Sequence, residues 1–289
     1  MKLLGIIQLS RPHQYLKNLF IFMPIFFALR ITELPLLQNA ILAFIAFSIT
    51  ASAIYMLNDY HDIEEDRQHP KKKHRPLASG VITKSEATVV MSLFFGAGFC
   101  LMGLVNAHAL IILGIYVGLN IAYSLYLKNI AIVDIMIIAS GFVLRLFIGS
   151  TVTGITLSSW IVIMTFLLAL FMALAKRRDD LLIYLDTGKK MRKAINGYNL
   201  QFLDSAMVVM ATVVIVAYTM YVTSIQTIER MNSEYLYLTA FFVILGILRY
   251  LQISLVLQDS GSPTKIVIRD HFLQITLIAW IATFVWILY

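Results

Sequence analysis

The chain holds one cysteine, Cys100, six prolines and little charge: 13% of its 289 residues are Asp, Glu, Lys or Arg. A lone cysteine in an apolar run has no partner for a disulfide and no second thiolate for a metal cluster. No Gly/Ser-rich or Pro-rich linker divides the chain and no short-period repeat recurs, so a single helical domain over residues 1–289 is expected. The N-terminal "MKLLGIIQLSRPHQYLKN" lacks a small-residue cleavage site after its short apolar core, which argues against a removable signal peptide. What replaces charge is hydrocarbon: 60% of residues are hydrophobic and the mean hydropathy is +0.81, far too apolar for a water-soluble domain.

An all-α integral membrane protein follows, since only a helix satisfies its own backbone within a single bilayer-crossing segment. At about 20 apolar residues per crossing, nine transmembrane helices are expected, at roughly 13–29, 38–57, 87–105, 108–127, 130–150, 157–175, 205–225, 235–256 and 272–288. All but four of the 23 Lys and Arg fall on one side of that arrangement. The exceptions are Arg30 and Arg230 in opposite loops, and Arg145 and Arg249 inside spans. Positive charge in short loops stays cytoplasmic, so a multi-pass protein of the cell membrane is expected, with its N-terminus inside and C-terminus outside. Two inward loops, at about 58–86 and 176–204, are long and dense in charge, which places the chemistry on the cytoplasmic face.

The stretch "NDYHDIEEDRQHPKKKHRP" (58–76) is the sharpest feature of the sequence. If the second span continues past Leu57, Asn58, Asp62 and Asp66 recur at i, i+4 and i+8 on one stripe, with Asp59 flanking it. Stacked carboxylates repel one another, and a divalent cation removes that penalty. An all-oxygen donor set favours Mg²⁺ or Mn²⁺, and Mg²⁺ characteristically binds a few carboxylates together with a substrate's phosphates. Asn58, Asp59, Asp62 and Asp66 are therefore candidate metal ligands, with Lys72 and Arg75 neutralising phosphate oxygens beyond the metal's reach. His69 and His74 are weaker candidates. The plainer interpretation is a solvated cytoplasmic loop whose bases obey the positive-inside rule or attract anionic lipid. It accounts less well for an Asn/Asp stripe running out of an apolar helix.

Other marks lie at the same depth. "YSLYLK" places Tyr123 and Lys128 at the end of the fourth span, where an aromatic belt and a snorkelling lysine are the plain reading. "AKRRDD" ends the sixth span with Lys176 and Arg177, otherwise a stop-transfer cap, and "RPHQYLKN" opens the first span with Lys17, otherwise an interfacial anchor. Asp134 and Arg145 fall inside the fifth span, where ionisable groups are a functional hypothesis by default. The structural reading is that Asp134 caps the helix and Arg145 snorkels to the outer face.

Together these residues resemble the UbiA superfamily of intramembrane prenyltransferases, through Asn58-Asp59-x-x-Asp62-x-x-x-Asp66, the basic run closing on Arg75-Pro76, and the tyrosine and lysine that end the fourth span. Within it, "RPHQYLKN", "DRQHPKKKHRP", "YSLYLK" and "VDIMIIASGFVLRLFIGS" are similar to the branch that acts on decaprenyl phosphate. That resemblance implies transfer of phosphoribosyl from phosphoribosyl pyrophosphate to a polyprenyl phosphate, with release of pyrophosphate. It further implies a Mg²⁺ cofactor, catalytic roles for Asp62, Asp66 and Lys128, and substrate contacts from Lys17, Lys72, Arg75, Tyr123, Lys128, Lys176 and Arg177. No nucleic-acid partner is expected. Aromatic-acceptor members carry a second D-x-x-x-D, whereas this chain has "KRRDDLLIYLD" with Asp179, Asp180 and Asp186 at another spacing, which puts a second full Mg²⁺ site in doubt. The alternatives are prenyl transfer to an aromatic acceptor and, outside enzymes, a transporter or lipid-binding scaffold.

Overall fold

In a computed structural model the described residues are 2–68, 72–188, 193–258 and 263–288, and among them every regular element is a helix. The chain divides into two compact units, residues 1–126 with 141–157, and residues 127–140 with 158–289.

The first unit opens with α1 (Lys2–Ser10), then a 3₁₀ segment (Pro12–Phe22) that passes into α2 (Met23–Phe27). It continues through α3 (Leu34–His61), α4 (Ile63–Gln68), α5 (Lys84–Val105), α6 (Ala107–Leu125) and the later part of α7 (Val133–Thr153). α3 is its buried spine. Ala40, Ala43, Ala46, Ser48, Ala51, Ser52 and Ala53 are all buried, and residues this small let neighbouring backbones approach closely in lipid. α5 exploits that approach at Gly98, where a Cβ would collide with Thr50 Oγ1 and come within 2.9 Å of the Ala46 carbonyl. Phe47, Ile54, Met102, Leu113 and Ile148 fill the space between these helices. Two helix starts are chemically marked: Thr83 and Glu86 form a reciprocal capping box on α5, and Asn106 Oδ1 accepts from His108 and Ala109 N–H at the start of α6.

The second unit holds the start of α7, α8 (Ser159–Thr187), α9 (Leu200–Thr223), α10 (Ile225–Met231), α11 (Ala240–Leu255), α12 (Pro263–Arg269) and α13 (His271–Leu288). Its core gathers Phe171, Leu174, Leu203, Met207, Tyr250 and Ile253. Ser158 caps α8, accepting from the Ile161 N–H.

Eight helices are long and apolar enough to cross a membrane: seven lie within expected spans extended by a few residues, and α8 runs well beyond its span. The expected first span differs in kind, being an 11-residue 3₁₀ segment followed by five α-helical residues, so nine long helices are not found among the described residues. Its reach is nevertheless considerable. At about 2.0 Å per residue for 3₁₀ and 1.5 Å for α, this segment covers roughly 30 Å, close to the hydrocarbon thickness. The long loop expected at 176–204 is also shorter than expected, because α8 runs on to Thr187. Charge alone does not end a helix. The Arg177–Asp180 pair at i, i+3 supports the extension, and the first breaker is Gly188, in the left-handed region at φ 67°.

Candidate active site

α3 does run past Leu57, ending at His61, and the turn at Asp62 keeps helical register: Asp62 N–H donates to the Asn58 carbonyl at 3.0 Å and Asp66 N–H to the Asp62 carbonyl at 2.7 Å. Asp59 and Asp66 therefore stand on one side of a nearly continuous helix, both 2% exposed. Two carboxylates buried together require a cation, and Arg75 provides it. One guanidinium nitrogen, Nη1, donates to Asp59 Oδ1 at 2.9 Å and to Asp66 Oδ2 at 2.7 Å. Arg11 adds a second ion pair to Asp59 at 2.5 Å, and Lys72 Nζ lies 3.8 Å from Asp66.

The structure thus shifts the emphasis within the acidic motif. Asp59, flanking in the sequence reading, forms with Asp66 the pair at the centre of the ion network, and Asp62 is half-buried at the turn between their helices. Asn58 faces α6, its Oδ1 accepting from Ser124 Oγ, which anchors the start of the motif beside Tyr123. The sequence pattern does not mark Arg11 and Ser124 as members, because their partners Asp59 and Asn58 are distant in sequence; only their positions beside a proline and beside Tyr123 hint at them. His74 is exposed, and His69 lies outside the described residues.

The donor set agrees with Mg²⁺ held in one particular way. Among the described residues no three His, Cys, Asp or Glu side chains gather as a ready-made metal group. Mg²⁺, however, commonly takes only one or two protein carboxylates and completes its octahedron with water and substrate phosphate. A buried pair of carboxylates already joined through one cation suits that mode.

Lys17 is half-buried in the 3₁₀ segment of the same unit. Arg145 does not snorkel: it is 4% exposed and hydrogen-bonded inside the first unit. In the second unit, Lys128 is half-buried in a short 3₁₀ turn (Leu127–Asn129), and Lys176 is half-buried on α8. The neighbouring Arg177 is fully buried, its Nε donating to Asp134 at 2.5 Å and its Nη1 to Asp180 at 2.5 Å. Tyr198 joins this cluster, donating to Asp134 at 2.7 Å and accepting from the Ile132 N–H at 2.6 Å. Burial, then the hydrogen bond to Asp134, pushes the Tyr198 hydroxyl above its ordinary range, so it stays a donor at physiological pH. Asp134 is consequently an ion-pair partner as well as a first-turn residue of α7.

The model of the UbiA prenyltransferase family matches residues 19–276. The chain belongs to this family. Decaprenyl-phosphate phosphoribosyltransferase of Mycolicibacterium smegmatis is 31% identical, covering 96% of this chain and 91% of that protein. The protein of that name from Corynebacterium glutamicum is 29% identical over 99% and 87%. Among solved structures, a UbiA homolog from Archaeoglobus fulgidus bound to GPP and Mg²⁺ superposes with a TM-score of 0.73 at 19% identity, covering 96% of this chain and 97% of that one. A likeness at that identity establishes the UbiA fold alone. The chain is thus a multi-pass membrane protein built like the UbiA transferases.

Proposed function

We propose that this UbiA-family chain transfers 5-phosphoribosyl from phosphoribosyl pyrophosphate to a polyprenyl phosphate of decaprenyl type. It would then act as a Mg²⁺-dependent pentosyltransferase in lipid-linked sugar synthesis for the cell envelope. The observation that carries this reading is the similarity to decaprenyl-phosphate phosphoribosyltransferases over nearly the whole of both chains. The site lies in the cell membrane facing the cytoplasm, on the side where basic residues concentrate.

In this reading Asp59, Asp62 and Asp66, with Asn58, hold Mg²⁺. Bound there, Mg²⁺ supplies positive charge to the pyrophosphate oxygens. Arg75 and Lys72, which neutralise Asp59 and Asp66 in the structure, turn their remaining N–H groups to phosphate oxygens. Tyr123 and Lys128 add donors for the charge that grows as the bond from C1 to the pyrophosphate oxygen breaks. An oxygen of the lipid phosphate forms the new bond to C1, and pyrophosphate leaves. The nucleophile is already an anion near neutral pH, so no general base is needed. Lys17 and Lys176 hold the donor's 5-phosphate or the lipid phosphate. Arg177, engaged by Asp134 and Asp180, serves this reading as a positioning residue that fixes α8 next to Lys176.

A substrate exchange tests the reading. Purified protein with Mg²⁺ is given either phosphoribosyl pyrophosphate and a polyprenyl phosphate, or a polyprenyl diphosphate and an aromatic acid. Product from the first pair alone is expected. Product from the second pair alone would make the chain an aromatic prenyltransferase, and product from neither would favour a transporter or scaffold.

A further inference from the structure

The charged side chains buried among the described residues are Asp59, Asp66, Asp134, Arg145, Arg177 and Arg178. All but Arg145 sit in ion pairs: Asp59 and Asp66 with Arg75, Arg177 with Asp134, and Arg178 with Asp204. Arg145 has only neutral company. Its Nε donates to Asn18 Oδ1 at 2.9 Å, Nη1 to the Gly141 carbonyl at 2.6 Å, and Nη2 to the Tyr116 hydroxyl at 3.2 Å. The rings of Phe47, Tyr116 and Phe142 surround its guanidinium carbon at 4.8, 5.1 and 5.2 Å. These contacts orient the group and soften its desolvation without neutralising it.

A second cation stands close by. Lys17 directly precedes Asn18, whose Oδ1 accepts from Arg145 Nε, and both lie in the 3₁₀ segment. Arg11 is paired with Asp59, whereas the groups that hold Arg145 are all neutral, so its buried charge is the one left without a counter-ion among the described residues. Like charges in an apolar setting persist where something anionic joins them. A guanidinium has five N–H groups, of which the chain engages one on each nitrogen of Arg145, so two remain for an acceptor. A two-pronged donor beside a point charge is suited to a phosphate monoester, a small dianion with several acceptor oxygens.

We propose that Arg145 and Lys17, braced by Asn18 and Tyr116, form a phosphate-monoester site inside the first unit. It deepens the transfer reading above and rests on it for the identity of the ligand. Two reactants of that reaction carry such a group, the lipid phosphate and the 5-phosphate of the donor. Lys17 suits either. Arg145 is the added residue, and it makes the site one that distinguishes a monoester from the pyrophosphate directed to Asp59 and Asp66.

Binding without turnover separates the sources. The full chain in detergent is titrated with farnesyl phosphate, with farnesol, and with ribose 5-phosphate, as wild type, Arg145→Met and Arg145→Lys. Arg145→Met is expected to raise the Kd of one phosphate monoester at least tenfold, leave the other within twofold, and leave farnesol unchanged. Arg145→Lys should recover part of the loss. A selective effect on farnesyl phosphate assigns the site to the lipid, and one on ribose 5-phosphate assigns it to the donor. If Arg145→Met does not fold, Lys17→Gln takes its place with the same expectation. Unchanged Kd values for both monoesters in a folded variant overturn the proposal. The titrations use no phosphoribosyl pyrophosphate, so a protein that fails to transfer phosphoribosyl yet shows the Arg145-dependent Kd would lose the transfer reading and keep the site.

Discussion

Asp59 and Asp66 depend on Arg75 for their charge balance, and that dependence gives the metal reading a test free of turnover. Removing one partner of a buried pair typically costs about 3–5 kcal/mol, because the remaining charges stay buried. Arg75→Ala is therefore expected to lower the thermal midpoint clearly, and added MgCl₂ should restore more of the midpoint in the variant than it adds to wild type, because a second cation meets the same two carboxylates. Equal Mg²⁺ responses in both proteins would detach the metal from Asp59 and Asp66. Much of this site is legible in sequence because α3 and α4 keep helical register across Asp62, so spacing determines facing. Arg145 is not legible in the same way. Its partners Asn18 and Tyr116 come from other elements, and no spacing rule connects residues so far apart in the chain. For the same reason Arg177 reads from sequence as a phosphate ligand, whereas its buried guanidinium is already shared between Asp134 and Asp180.

At the level of elements, hydropathy locates the long helices well, since bilayer thickness imposes their length. It misjudges where two of them change. The 3₁₀ segment Pro12–Phe22 and α2 after it are bracketed by positive-φ residues at Arg11 and Leu29, which hydropathy does not register. The charged end of α8 remains helical because Lys, Arg and Leu supply good helix formers among residues 176–187 and neither Gly nor Pro intervenes before Gly188. The packing of α5 on α3 turns on Gly98, a residue that composition alone leaves unremarked. Gly98→Ala is expected to destabilise by about 1–3 kcal/mol, the usual range for overpacking a close contact, despite the better helix propensity of alanine. Gly96→Ala, one turn face away and with open space at its Cβ, should be neutral or slightly stabilising. A thermal melt of the two variants checks the pair, and equal melting would mean that α3 and α5 do not pack as closely as described.

For the whole molecule, the proposed work on phosphate-bearing substrates rests on the UbiA family membership and on the Lys and Arg that the sequence pattern assigns to the cytoplasmic side. The central claim is that the acidic motif supports phosphoribosyl transfer to a lipid. The most direct measurement incubates membranes containing the protein with ribose-labelled phosphoribosyl pyrophosphate, a polyprenyl phosphate and Mg²⁺, and counts label in extracted lipid. Label in lipid that falls at least a hundredfold with EDTA and with Asp62→Ala is the expected result. Label that survives both treatments, or never enters the lipid, would contradict the account.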